Sequence, residues 1–331
     1  MKTEKYERDH RLDLLRVIAI SMIVLMHSPN PNSHNPSFFS ASMSYVTASW
    51  LVLFFILSGS LLLDTHLSVM AFIKRRFSKI LYPTLFWTVV YLIVSFLLKP
   101  TDVATAIRKI ASIPFSAQGH GVLWFMYTLA GLYLLTPILS RWLCSASKKE
   151  IKYYLFLWVV TLLYPYLDLV VDINESDTGI LYYFTGYVGY FVLGYYLKNH
   201  YQFRYWHVIV AFLIAFFIPV ALYSSGMEFD FYSMLWYLSL PVASMAFCWY
   251  VLIMRLPNKK IPCIEQMSKL SFGVYFVHIL FMRQVIWKID VITQWSGVTQ
   301  ILTIAVITIT VSYLFSWFIS RLPFSKYIIG V

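Results

Sequence analysis

Long apolar runs separated by short polar segments dominate the chain, near residues 12–28, 43–63, 80–98, 121–139, 151–171, 179–198, 205–224, 232–254, 268–287 and 297–319. Each is about 17 to 23 residues long, enough to cross the hydrocarbon core of a bilayer as an α-helix. The runs are near-continuous and lack the two-residue alternation of an outer-membrane barrel. Helices, which satisfy their own backbone hydrogen bonds, are the structure such runs adopt in lipid. The pattern predicts an all-α, polytopic membrane protein with about ten transmembrane helices.

Composition agrees. The 331 residues are 60% hydrophobic, 19% aromatic and only 12% charged, which excludes an ordinary soluble chain and a disordered one. The net charge of +11 raises the question of nucleic acid, but the basic residues sit in short clusters between apolar runs and form no single polar face. With the N-terminus placed in the cytoplasm, twenty of the lysines and arginines fall on cytoplasmic segments, while only Lys99, Arg108, Lys109 and Lys288 fall on the other side. The positive-inside rule therefore puts both termini in the cytoplasm. Arg16 and Arg283 lie inside spans.

The first apolar run follows a charged head containing Glu4, Glu7 and Asp9 and precedes no small-residue cleavage site, so it reads as a retained helix and not a signal peptide. Cys144, Cys248 and Cys263 have neither disulfide pairing nor metal-ligand spacing, so no metal site and no bound cofactor are expected. No internal repeat or linker divides the chain, so residues 1–331 read as a single transmembrane domain.

Ionisable residues inside spans cost a few kcal/mol each and mark candidate sites. Arg16 and His27 are eleven residues apart, within about 20° of three full helical turns, so they share one face of the first span at depths separated by roughly 16 Å. Asp13 stands one turn before Arg16. Arg16 can snorkel from a helix end, and His27 can be a satisfied core residue, but a neutral imidazole is also the usual general base near neutral pH.

The second span ends in Ser58-Gly59, which either lets helices approach closely or borders a ligand. Beyond it, Arg76 and Lys79 lie at the depth of Arg16, where cations can hold the phosphates of a nucleotide-like donor. The fourth span carries His120, Trp124, Tyr133 and Pro137; Trp124 is either an interfacial belt residue or an aromatic platform beside a base. In the ninth, Tyr275 and His278 share a face three residues apart near the midplane.

Together, Leu12-Asp-Leu-Leu-Arg16 with His27, Phe54-Phe-Ile-Leu-Ser-Gly59, Arg76-Phe-Ser-Lys-Ile-Leu-Tyr-Pro83, Leu123-Trp-Phe125 with Tyr133 and Pro137, Phe191-Val-Leu-Gly194, and Ser271-Phe-Gly-Val-Tyr-Phe-Val-His278 resemble the membrane-bound acyltransferase-3 family. The resemblance is ordered and runs from residue 12 to about residue 280. It implies a multi-pass enzyme of the cytoplasmic (inner) membrane that moves an acyl group, most often acetyl from cytoplasmic acetyl-CoA as cosubstrate, onto a hydroxyl of a cell-envelope glycan or lipid-linked glycan precursor. The family's arginine and histidine fall on Arg16 and His27. Its second basic position is usually arginine where Lys79 stands, which keeps the charge and loses the bidentate fork. An aromatic residue is common where Ser60 stands.

On this reading the donor's phosphates rest near Arg16, Arg76 and Lys79, with Ser58 and Gly59 beside them, and His27 acts as general base on the acceptor hydroxyl. Asp13, Trp124, Tyr133, Tyr275 and His278 support the site, orient the acceptor or donate to the developing oxyanion. Membrane lipid and an envelope glycan are the expected partners, nucleic acid is not, and the oligomeric state is not legible. Transfer of succinyl or another acyl group, and export of a glycan or lipid-linked substrate, are the competing readings.

Overall fold

The computed structural model describes residues 8–30, 37–98, 102–117, 122–171, 179–226, 230–295 and 297–331, and all regular structure among these is helical. The principal helices are α1 (His10–His27), α2 (Ser37–Leu62), α3 (Val69–Leu98), α4 (Val103–Ser112), α5 (Trp124–Ser145), α6 (Lys148–Thr161), α7 (Tyr164–Val171), α8 (Val188–Asn199), α9 (Tyr205–Ser224), α10 (Leu240–Ile253), α11 (Pro262–Gln284) and α12 (Gly297–Ile319). His120 and residues 1–7, 31–36 and 172–178 lie outside the described residues.

Five of the described helical segments are long and apolar enough to cross a membrane: Phe39–Leu62, Val69–Leu98, Tyr205–Ser224, Pro262–Lys288 and Gly297–Ile319. Other apolar runs are interrupted or carry more polar residues. The run at 151–171 divides into α6 and α7, with Pro165 in the first turn of α7, where a missing N–H costs nothing. The run at 179–198 is a short 3₁₀ turn, then Gly186 at φ 92°, then α8; positive φ suits glycine. The run at 232–254 is broken at 235–239, and Pro241 lies in the first turn of α10. Within α3, Ile73–Phe77 forms a wide π turn ahead of Pro83, the geometry that re-aims a helix.

Local signals fix the helix ends. The Asp9 side chain caps α1 by accepting from the Arg11 backbone N–H at 3.0 Å. In the capping box of α6 the Ser147 N–H donates to Glu150 at 2.6 Å and the Glu150 N–H donates to the Ser147 hydroxyl at 3.3 Å. The first of these bonds holds the Glu150 carboxyl below the usual carboxylate range.

The core is built around α1 and α2. α2 packs most extensively against α8 and also meets α1 and α10. α1 lies between α2 and α11, and α12 closes over α11. α2 and α8 approach closely: a Cβ on Gly59 would sit 1.9 Å from the Phe191 carbonyl oxygen, and one on Gly194 would sit 1.9 Å from the Ile56 carbonyl oxygen. Two glycines thus let two backbones touch, as small residues do between membrane helices. In the apolar stretch of α2 83% of residues are buried, against 17% in α9, so α9 lies at the rim and turns its apolar side chains outward.

Candidate active site

The seam between α1 and α11 carries two centres. At one end, Arg16 donates to the Ser268 hydroxyl at 2.9 Å, and that hydroxyl donates to Asp13 at 2.8 Å. Asp13 also takes two bonds from Arg8, at 2.8 and 2.9 Å, a bidentate arrangement. The carboxylate is therefore saturated, and it fixes Arg16 both through Ser268 and directly at 3.8 Å. A charge at this depth is tolerable only with such partners.

Arg8, Arg16, Arg76 and Lys198 line one cavity of about 520 Å³, together with Asp9, Asp13, Ser60, Tyr250 and Met254. Tyr133 lies within electrostatic reach of Arg16 and Arg76, and its hydroxyl meets that of Ser58. Lys198 enters from α8 while bonded to Asp64 at 2.7 Å. A concave site with four cations suits a ligand carrying several phosphates.

At the other end the rings of His27 and His278 face each other with centroids 5.3 Å apart. The Nδ1 of His27 is 2.9 Å from the Ile23 carbonyl oxygen, and the Nδ1 of His278 is 2.6 Å from that of Tyr275. A carbonyl oxygen only accepts, so in each neutral ring Nδ1 carries the proton and Nε2 keeps its lone pair. His278 is fully buried, and its Nε2 has no hydrogen-bond partner. The Arg283 guanidinium lies within electrostatic reach of both rings. Tyr275 packs on His278, with ring centroids 5.6 Å apart, and donates its hydroxyl to the Val122 carbonyl. The protons of Tyr275 and of neutral His278 are thus directed at backbone carbonyls.

Beyond the imidazoles, Trp124 packs against Tyr187 and Tyr237 at ring distances of 5.3 and 5.2 Å. The Tyr237 hydroxyl approaches the Met26 sulfur at 3.7 Å, one residue before His27. Tyr187, Tyr237 and Trp236 also form a wall of a second cavity of about 540 Å³. Its other walls carry Thr161, Tyr164, Thr185 and Ser233, and among the described residues no acid or base lines it. Hydroxyls and aromatic faces without charge are the surface that binds neutral polyhydroxy ligands.

A family model described as an acyltransferase domain matches residues 9–317 of the chain. The chain belongs to the acyltransferase-3 family. With its apolar helices, this acyltransferase-3 protein is a multi-pass membrane acyltransferase. No curated protein and no solved structure matches it.

The acyltransferase-3 fold brings Asp13, Arg16, Arg76, Ser58 and Tyr133 to one end of the seam and His27, His278 and Tyr275 to the other, with Trp124 behind the latter. Lys79 is exposed, its backbone carbonyl is packed under Gly330, and it does not line the cation cavity. Gly59 is occupied by the contact with α8. Arg8, Ser268, Lys198, Tyr187 and Tyr237 join the site without a signal of their own in the sequence. Arg283 carried a signal, as a charge inside a span; the others are ordinary residues until helices distant in sequence meet.

Proposed function

We propose that the protein is an integral membrane O-acyltransferase that moves acetyl from cytoplasmic acetyl-CoA to a hydroxyl of a cell-surface polysaccharide or its lipid-linked precursor. The observation that carries this reading is the α1–α11 seam, with a cation cavity at Arg16 and an imidazole pair at His27 about 16 Å further along the same helix. A thin pantetheine arm spans such a distance; a compact donor does not.

The donor's phosphates bind Arg8, Arg16 and Arg76, with Asp13 and Ser268 holding Arg16 in place, and Ser58 and Tyr133 complete the donor side, whereas Gly59 packs α2 on α8 and Lys79 stays outside the cavity. At the far end the acceptor hydroxyl gives its proton to Nε2 of His27 as its oxygen attacks the thioester carbonyl. The new C–O bond forms, the C–S bond breaks, and the CoA thiolate takes the proton from the imidazolium. Proton transfer by a positioned base contributes about 10²- to 10⁴-fold. His278 presents a second lone pair that accepts a bond from a neighbouring sugar hydroxyl. Trp124 and Tyr275 shape the wall behind the acceptor, and the aromatic cavity of Tyr187, Trp236 and Tyr237 receives the rest of the glycan.

The chain crosses the inner membrane about ten times with both termini in the cytoplasm, on the strength of the apolar runs and the distribution of lysine and arginine. The interrupted segments α6–α7 and the turn before α8 line the aromatic cavity, where irregular backbone is tolerated because protein and water satisfy it. The test is transfer of labelled acetyl from acetyl-CoA to glycan in membranes containing the protein, repeated with succinyl-CoA. Label from acetyl-CoA supports the reading, label from succinyl-CoA alone replaces the donor, and label from neither leaves glycan export as the better account.

A further inference from the structure

A second basic cleft lies away from the α1–α11 seam, where the N-terminal end of α6 meets the C-terminal end of α8 and the start of α9. It encloses about 530 Å³. Lys148 and Lys152, one turn apart on α6, stand on one wall, and Arg204 and His207 stand on the other. Arg204 and Lys152 both lie within electrostatic reach of the His207 ring, so the positive groups converge.

Among the described residues no carboxylate lines this cleft. That distinguishes it from the cavity at Arg16, where Asp9 and Asp13 face the arginines. The nearest acid in sequence, Glu150, is engaged by the Ser147 backbone. Among the described residues the ion pairs join other groups and leave Lys148, Lys152 and Arg204 out. Three uncompensated cations around a concavity call for an anion.

The cleft is also apolar on one side. Below the cations it continues over Leu193 and Leu197 of α8 and Val210 and Ile214 of α9. α9 is the least buried of the membrane-length helices, with Ile209, Phe212 and Phe216 exposed along it. Tyr205 and Trp206, 70% and 56% exposed, stand at its head, as aromatic residues do at the level of lipid headgroups. A ligand that matches both parts has a phosphate at one end and a hydrocarbon chain at the other.

We infer that this cleft seats an anionic phospholipid, with its headgroup phosphate between Lys148, Lys152 and Arg204 and an acyl chain along the groove between α8 and α9. The site is independent of the acyl-transfer chemistry. Because α8 also packs on α2 and delivers Lys198 to the cation cavity, a lipid bound here braces the helix that closes the donor site.

The test is thermal unfolding of the purified full chain in a neutral detergent, titrated with phosphatidylglycerol, with phosphatidylcholine of the same acyl chains, with inorganic phosphate and with acetyl-CoA. Phosphatidylglycerol raises the unfolding temperature and phosphatidylcholine does not. In the exposed triple variant Lys148→Gln, Lys152→Gln, Arg204→Gln, the phosphatidylglycerol concentration giving half the shift rises on the order of 100-fold, at roughly a factor of five per cation. Val210→Trp, which keeps the cations and fills the groove, also weakens the lipid effect. An unchanged half-point in the triple variant overturns the proposal, and so does an equal shift with phosphatidylcholine. If inorganic phosphate or acetyl-CoA shifts the wild type by an amount that the triple variant loses, the cleft takes a soluble phosphate and the lipid assignment fails.

Discussion

Replacing Gly59 with alanine adds one methyl group where there is no room for it. The new Cβ would stand 1.9 Å from the Phe191 carbonyl oxygen and 3.0 Å from its Cα. Ordinary contact begins near 3.4 Å, so α2 and α8 must part locally by about 1.5 Å. Both contacting partners are backbone, and no flexible side chain can yield. Overpacking of a close-packed interior costs about 1–3 kcal/mol, and this rigid case belongs at the upper end. At roughly 2–4 °C per kcal/mol for a large domain, the unfolding temperature falls by about 6–12 °C.

Gly194→Ala makes the reciprocal clash with Ile56 and predicts a loss of the same size. Gly131→Ala is the control, because nothing lies within 4 Å of its added Cβ; removing a helix-interior glycine there gains about 0.5–1 kcal/mol. The assay is thermal unfolding of purified protein in one detergent, with donor KM measured on the folded fraction. If Gly59→Ala leaves the unfolding temperature unchanged and raises only the donor KM, Gly59 is a ligand contact and the packing argument is refuted.

Ser268→Ala removes the bridge between Arg16 and Asp13. Loss of charge-assisted hydrogen bonds of this kind costs about 1.5–3 kcal/mol, so the donor KM rises about 10-fold or more while the acceptor KM holds; a matched rise in both contradicts the assignment. His278→Ala removes a buried lone pair beside His27 and raises the acceptor KM more than the donor KM, whereas an effect on the donor alone would place His278 on the wrong side of the chemistry. Trp236→Ala opens the neutral cavity and weakens a glycan acceptor, by roughly 10-fold for one aromatic contact, and leaves acetyl-CoA binding as it was; unimpaired use of the glycan shows that the acceptor lies elsewhere.

Much of the fold is legible in the pattern of apolar residues because lipid enforces it. α9 and α12 occupy the residues that the runs at 205–224 and 297–319 predict. α11 starts six residues early, at Pro262, because Glu265 and Lys269 form an ion pair one turn apart and stay helical beyond the apolar stretch. Where the prediction and the fold part, as at 151–171 and 179–198, Pro165 and Gly186 sit in runs whose hydropathy alone gives no reason to stop. The shared face of Arg16 and His27 follows from helical geometry, and both residues meet α11 along it, at Ser268 and His278. The pairing of His27 with His278 was not legible, since no local rule places a residue of α11 beside α1. The same holds for Lys198, which reads as one more charge at a helix end until α8 packs on α2 and carries it to Arg16. Gly59 carried two readings in sequence, and the 1.9 Å approach of Phe191 gives the packing one a physical cause.

The most direct measurement is incorporation of radiolabelled acetyl from acetyl-CoA into the glycan fraction of membranes containing the wild-type chain, Arg16→Ala or His27→Ala at matched expression. Incorporation by wild type and its loss in both variants is the expected result, with His27→Ala still binding acetyl-CoA and Arg16→Ala binding it weakly. Full incorporation by either variant contradicts the role given to the α1–α11 seam.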